Sequence, residues 1–146
     1  MARLAVVISV MVLFSACDER LSPTRGEVTG TWTATLEGTV FQGEDGTGET
    51  TSLTLTLEQS GTQVTGSEGF TDTMGRSGVQ PVSGTFLGLQ LSYSRLDFDP
   101  DCGDRTVTGI GRVTSVDPGS TMRTGIGASA AGACPMLADS LVYTKQ

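Results

Sequence analysis

Hydrophobic and polar positions alternate with a period of two along most of this chain. The clearest stretch is residues 53–67, LTLTLEQSGTQVTGS, where Leu53, Leu55 and Leu57 alternate with Thr54, Thr56 and Glu58 ahead of Ser60 and Gly61. Successive side chains of an extended strand point to opposite faces, so this pattern predicts a hairpin with a leucine face and a threonine face. A two-residue Ser60-Gly61 loop would set Leu57 against Val64 and Leu55 against Gly66. Residues 82–93, VSGTFLGLQLSY, follow the same arithmetic. A Leu87-Gly88 loop there pairs Phe86 with Leu89, Gly84 with Leu91 and Val82 with Tyr93. A third hairpin spans Val107 to Ala128 around Asp117-Pro118-Gly119-Ser120, and a Pro118-Gly119 loop would set Gly111 against Ile126.

A first strand near Val28 to Glu37 and a last near Leu141 to Lys145 bring the number to about eight. Segments of the form VTG or VSG recur at 28–30, 64–66, 82–84 and 107–109, with RTG at 123–125, a spacing too irregular for a solenoid. Glycine inside a strand packs nothing and costs entropy, so its recurrence marks places where a sheet curls or backbones approach closely. The fold class these features predict is all-β, a small antiparallel up-and-down meander barrel, with a two-sheet β-sandwich as the alternative. Residues 28–146 form its single domain.

Composition agrees with strands and turns: 20 glycines, 5% aromatic and 17% charged residues in 146. The chain has no histidine, which removes Ser-His-Asp, Cys-His and His-zinc chemistry. Nine Lys and Arg face 16 Asp and Glu, and with Arg3 in a removable leader the remainder carries 8 against 16, a net of −8. That acidity is dispersed and disfavours nucleic acid as a partner. No cofactor and no enzymatic activity are indicated.

Residues 1–17, MARLAVVISVMVLFSAC, place Arg3 before an apolar run from Leu4 to Phe14, then Ser15, Ala16 and Cys17. The run is too short for a permanent bilayer span and suits a secretory leader over 1–16. Leu13-Phe14-Ser15-Ala16-Cys17 resembles the lipobox of bacterial lipoproteins, with Phe14 where leucine is usual. The resemblance implies that Cys17 is acylated, palmitate included, and becomes the N-terminus of a protein anchored in the cell envelope and facing the periplasm. Asp18 resembles a signal that retains some such proteins in the inner membrane; inner and outer membrane both stay open. Acylation of Cys17 leaves Cys102 and Cys134 to pair as a disulfide. Residues 17–27 then form a polar tether.

VTGTW, residues 28–32, is similar to the opening of the first strand in lipocalins and avidins, eight-stranded barrels that hold a small ligand in the mouth. Ala34 stands where the avidin pattern has a ligand-binding asparagine, so biotin is not implied. In lipocalins a basic residue packs on the tryptophan near the end of the barrel, a role open to Lys145 here. Trp32 is expected to plug one barrel end.

Two loops carry candidate chemistry. In DFDPDCGD, Asp97, Asp99, Asp101 and Asp104 surround Cys102 and resemble the start of a calcium loop, but Cys102 takes the glycine place and Thr108 the place of the bidentate glutamate. A disulfide-pinned polar loop is the main expectation and metal the weak one. FQGEDGTGET, residues 41–50, lacks the Gly-Lys-Ser/Thr ending of a phosphate loop and is expected at the surface. Trp32, Leu55, Leu57, Phe86, Leu91 and Tyr93 are candidates to line a cavity, together with Leu53 and Leu89. The function expected is a membrane-anchored, non-catalytic binding module for a small apolar ligand or envelope component. The alternative is a protein-interaction module, such as an inhibitor of a protease or cell-wall hydrolase or an accessory subunit of an envelope complex.

Overall fold

The computed structural model describes residues 27–41, 47–131 and 134–146. The expected leader over 1–16, and the expected tether up to residue 26 with Cys17, lie outside them.

Period-two segments become eight antiparallel strands: β1 (Gly30–Glu37), β2 (Thr50–Ser60), β3 (Gln63–Asp72), β4 (Ser77–Leu87), β5 (Gln90–Leu96), β6 (Thr106–Val113), β7 (Thr121–Ala128) and β8 (Leu137–Lys145). Each pairs with its sequence neighbour, and β8 returns to β1, so the sheet is a closed up-and-down barrel rather than a sandwich. A short 3-10 turn, Pro100–Cys102, interrupts the β5–β6 connection. Among the described residues no helix is long and apolar enough to cross a membrane.

Alternation sends the leucine face inward. Leu53, Leu55 and Leu57 are buried on β2 while Ser52, Thr54, Thr56 and Glu58 are exposed. The core joins Trp32, Leu55, Leu57, Val64, Phe70, Val82, Phe86, Leu91, Tyr93, Met122, Leu141 and Tyr143.

The three expected registers each shift by two residues. Leu57 faces Gly66 and Leu55 faces Glu68, because the β2–β3 loop is Gly61-Thr62. Phe86 faces Leu91 and Gly84 faces Tyr93, because the next loop is Gly88-Leu89. A loop one residue earlier would put Ser60 or Leu87 at its first position. Gly61 and Gly88 take that position with φ of 63° each, which is where a type II′ turn wants glycine. Gly111 faces Thr124 rather than Ile126 because the β6–β7 connection opens out, Thr114 and Thr121 still pairing N–H to C=O at 2.9 Å. A shift of two leaves every side chain on its expected face. Leu89 is the exception: as a loop residue it is 39% exposed and lines no interior.

Inward glycines make room for inward bulk. Tyr93 has Gly84 opposite on β4 and Gly109 opposite on β6. A Cβ on Gly84 would lie 2.1 Å from the Ser92 carbonyl oxygen, and one on Gly109 2.3 Å from the Tyr93 ring. Outward Gly125 meets nothing within 4 Å. Gly84→Ala and Gly109→Ala are therefore expected to cost about 1–3 kcal/mol each by overpacking. Gly125→Ala should stay within about 0.5 kcal/mol of the parent in urea denaturation. Equal tolerance at all three positions would contradict this account of the barrel interior.

Candidate functional site

The barrel has two unlike ends. At one, β1 begins and β8 finishes. Trp32 is fully buried there and donates its indole N–H to the Val28 carbonyl at 2.9 Å. Lys145 lies opposite Trp32 in register, with Nζ 5.6 Å from the ring centroid and 2.6 Å from the Val116 carbonyl. Buried Trp32 and the Lys145 side chain over it cover this end. The other end carries the long connections, residues 38–49, 97–105 and 129–136.

Between the ends, a charged cluster sits inside the barrel. Glu68, 1% exposed, occupies an inward position of β3. Its Oε2 accepts the Arg95 Nε–H from β5, and its Oε1 accepts the hydroxyls of Tyr143 from β8 and, at 3.3 Å, of Tyr93 from β5. Arg95 also donates to the Leu96 carbonyl at 2.9 Å and lies 4.0 Å over the Phe98 ring. A lone buried carboxylate would cost several kcal/mol, and here three donors, one of them the Arg95 cation, offset that. Burial pushes both phenols above the ordinary tyrosine value, and the Glu68 charge pushes the same way, so both remain proton donors. Thr124 on β7, also fully buried, has a hydroxyl without a hydrogen-bond partner among the described residues.

Two more braces hold the loop end. Asp97 Oδ2 accepts both Nε–H and Nη2–H of buried Arg105, whose Nη1 reaches the Pro135 carbonyl at 2.5 Å. Cys102 and Cys134 form a disulfide across 32 residues with Cα atoms 5.4 Å apart, the pair expected with Cys17 set aside. Closing a loop of that size contributes about 3 to 4 kcal/mol in the chain-entropy picture. Arg76 donates to Asp72 at 2.6 Å, to Glu49 at 3.0 Å and to Thr39 at 3.1 Å, and lies 4.3 Å over Phe41. Burial pushes the Asp72 carboxyl up, but the Arg76 side chain and amide and the Met74 amide outweigh it and hold the carboxyl below its usual range. Phe41, Phe70 and Phe98 stack in sequence under these connections, with centroids 5.6 and 4.8 Å apart.

The six cavity-lining candidates, Trp32, Leu55, Leu57, Phe86, Leu91 and Tyr93, all face inward and belong to one packed cluster. The aspartates do not converge. Asp97 is spent on Arg105 and on the Asp99 amide, and Asp99 accepts from the Asp101 amide at 2.9 Å. Asp101 and Asp104 face solvent. Asp99 does lie with Cys102 and Cys134, but those sulfurs are joined to each other. On the outer wall, Ser52, Thr54, Gly69, Thr71, Ser77 and Val79 surround a shallow recess of about 270 Å³, below the roughly 300 Å³ at which ligand pockets begin. Residues 42–46 of the glycine-rich loop lie outside the described residues.

Glu68, Arg95, Tyr143, Arg105 and Arg76 went unrecognised in the sequence. A signal for the first two was present: Glu68 falls in phase with inward Val64 and Phe70, and Arg95 with inward Leu91 and Tyr93. Two opposite charges in the buried phase of strands predict an internal pair. No family model, curated protein or solved structure matches this chain.

The two tyrosines of the cluster are the only ones in the chain, so tyrosinate absorbance reports on it alone. Unfolded tyrosine deprotonates near pH 10 while the buried phenols hold their protons, so the cluster's contribution is intact below about pH 10 and stability falls as pH rises above it. Absorbance should stay silent until alkaline unfolding and then appear together with loss of circular dichroism. Ionisation of either phenol in the folded protein would contradict the cluster. Glu68→Ala, which leaves buried Arg95 without its carboxylate, should destabilise by about 3–5 kcal/mol in urea. Calcium and chelator should give the same melting temperature, since Asp97 already neutralises Arg105; a rise of several degrees with calcium would overturn that.

Proposed function

We propose that this chain is a lipid-anchored protein of the bacterial cell envelope, facing the periplasm, that works as a non-catalytic binding module and presents the loop end of its barrel to an envelope component. The observation that carries this reading is the opposition of the two ends. The described chain begins at Glu27 at the closed end, where the Glu27 carbonyl meets Lys145 beside Trp32. The disulfide, the Arg105–Asp97 pair and the Arg76 network brace the opposite end. Rigid loops lose little entropy on binding, which is what a recognition surface requires.

The same end exposes two flexible apolar side chains, Met74 at 69% and Met136 at 75%, beside the disulfide and the Arg76 network. Methionine adapts to irregular partner surfaces. The interior favours this face over a carrier of apolar ligands, because an ion cluster occupies the barrel at Glu68. A small molecule held inside is the second reading, and the orphan hydroxyl of Thr124 favours one with a polar group.

Labelled palmitate should enter the parent chain and fail to enter Cys17→Ala. A mature mass lacking residues 1–16 and carrying no acyl groups would overturn the anchor. Crosslinking in envelopes should recover a stoichiometric partner with the parent and lose it with Met74→Glu and Met136→Glu combined. A partner retained by that variant would remove the loop end as the binding face. Native mass spectrometry decides the second reading: a bound small molecule present in the parent and absent from Thr124→Val supports it, and a bare chain defeats it.

A further inference from the structure

We propose that the outer flank formed by β5–β8 rests on an anionic lipid bilayer, with Arg112 and Arg123 as its contacts to lipid phosphate; this rests on the anchored reading above.

Arg112 on β6 and Arg123 on β7 stand directly opposite each other in the ladder, both exposed. Neither guanidinium has a hydrogen-bond or ion-pair partner among the described residues. Two like charges in a cross-strand pair destabilise a sheet unless an anion lies between or above them. Their row continues through Gln90 on β5 to Leu87 on β4, and on the other side to Val142 on β8. Leu87 is 70%, Ile110 54% and Val142 47% exposed, so aliphatic side chains border the arginines.

The outward-phase positions of these four strands carry no carboxylate, Asp139 of β8 standing in the inward phase at the loop-end rim. The outward positions are Gln90, Ser92, Ser94 and Leu96 on β5; Thr106, Thr108, Ile110 and Arg112 on β6; Thr121, Arg123, Gly125 and Gly127 on β7; and Ala138, Ser140, Val142 and Thr144 on β8. The chain as a whole has 16 acidic residues against nine basic ones. Glu37, Asp101, Asp104 and Asp139 are exposed at the loop end, and Asp117 lies in the β6–β7 turn with its Oδ2 taking the Ser115 hydroxyl at 3.3 Å. Eight strand residues span about 26 Å. With a screening length of about 8 Å at physiological salt, acids at the loop end are screened from the arginine pair; Asp117 in the β6–β7 turn, Glu27 and Glu58 are the exposed acids at the pair's own end of the barrel.

The place where the chain leaves the barrel selects lipid as the occupant. The Lys145 ammonium, at the end of β8, contacts the Glu27 carbonyl at 3.4 Å, which puts the start of the described chain two strands from Arg123 on β7. Two strand spacings are about 10 Å. Nine residues separate Cys17 from Glu27. The ten steps from Cys17 to Glu27 span at most about 36 Å when fully extended, so an acyl group on Cys17 holds this flank within reach of the membrane.

The test uses the acylated mature chain in vesicles of phosphatidylcholine alone or mixed with phosphatidylglycerol, with a fluorophore on Thr108→Cys of β6 or on Thr54→Cys of β2, on the opposite side of the barrel. Lipids carrying a headgroup nitroxide should quench the label at 108 several-fold more than the label at 54 in the anionic vesicles. The difference should vanish in phosphatidylcholine, at high salt, and in Arg112→Gln combined with Arg123→Gln. Equal quenching at the two sites, or quenching indifferent to the arginines, would overturn the proposal. Arginine-dependent retention of free polyphosphate with no response to phosphatidylglycerol would also overturn it and assign the flank to a soluble polyanion. Mass spectrometry of the same preparation separates this failure from failure of the anchor. If the chain lacks residues 1–16 and bears no acyl group, the flank is judged by co-sedimentation with the anionic vesicles. There the double variant should bind about 10- to 30-fold more weakly, and unchanged binding would end the proposal.

Discussion

A barrel of this kind exists only if its last strand finds its first, and that seam is the shortest ladder in the molecule. β2 and β3 share ten registered pairs from Thr51 to Ser60, whereas β1 and β8 share two, Trp32 with Lys145 and Thr33 with Thr144. Other contacts reinforce the seam. The Gln146 amide donates to the Thr31 carbonyl at 2.9 Å, and its side chain reaches the Thr33 hydroxyl at 2.6 Å. From inside, Glu68 on β3 holds Tyr143 of β8, linking strands that are 75 residues apart in sequence. Closure therefore leans on a carboxylate that no unclosed sheet would bury.

That dependence explains why so many inward positions are glycine. An eight-stranded barrel has an interior just wide enough for its side chains. Tyr93 and the cluster it joins fit because Gly84 and Gly109 withdraw on either side. Glycine costs backbone entropy in a strand, and the disulfide and buried ion pairs at the loop end offset part of that loss. The disulfide and the buried polar clusters thus add to one continuous apolar core.

The distribution of charge gives the molecule a direction. Cations inside or at the rim, Arg76, Arg95 and Arg105, each have a carboxylate, and those pairs stiffen the loop end and the interior. Arg112 and Arg123 are left for the outside, near the end where the described chain begins at Glu27. A barrel with one braced acidic end and one basic flank near its closed end is oriented by any anionic surface it meets.

The sequence by itself determined an all-β class, about eight strands and the inward faces of the clearest hairpins, and it determined the disulfide partners only with Cys17 set aside. A period of two assigns faces without reference to anything distant, and three cysteines with one set aside leave a single pairing. Registers needed the structure: Gly61 and Gly88 choose the first loop position because only there does φ turn positive, a two-residue slip that the alternation cannot detect. The buried cluster needed it as well. Glu68 and Arg95 stand in the inward phase of their strands, but whether two inward charges meet depends on which strands become neighbours across the lumen. Only closure of the barrel, a relation between the chain's two ends, decides that.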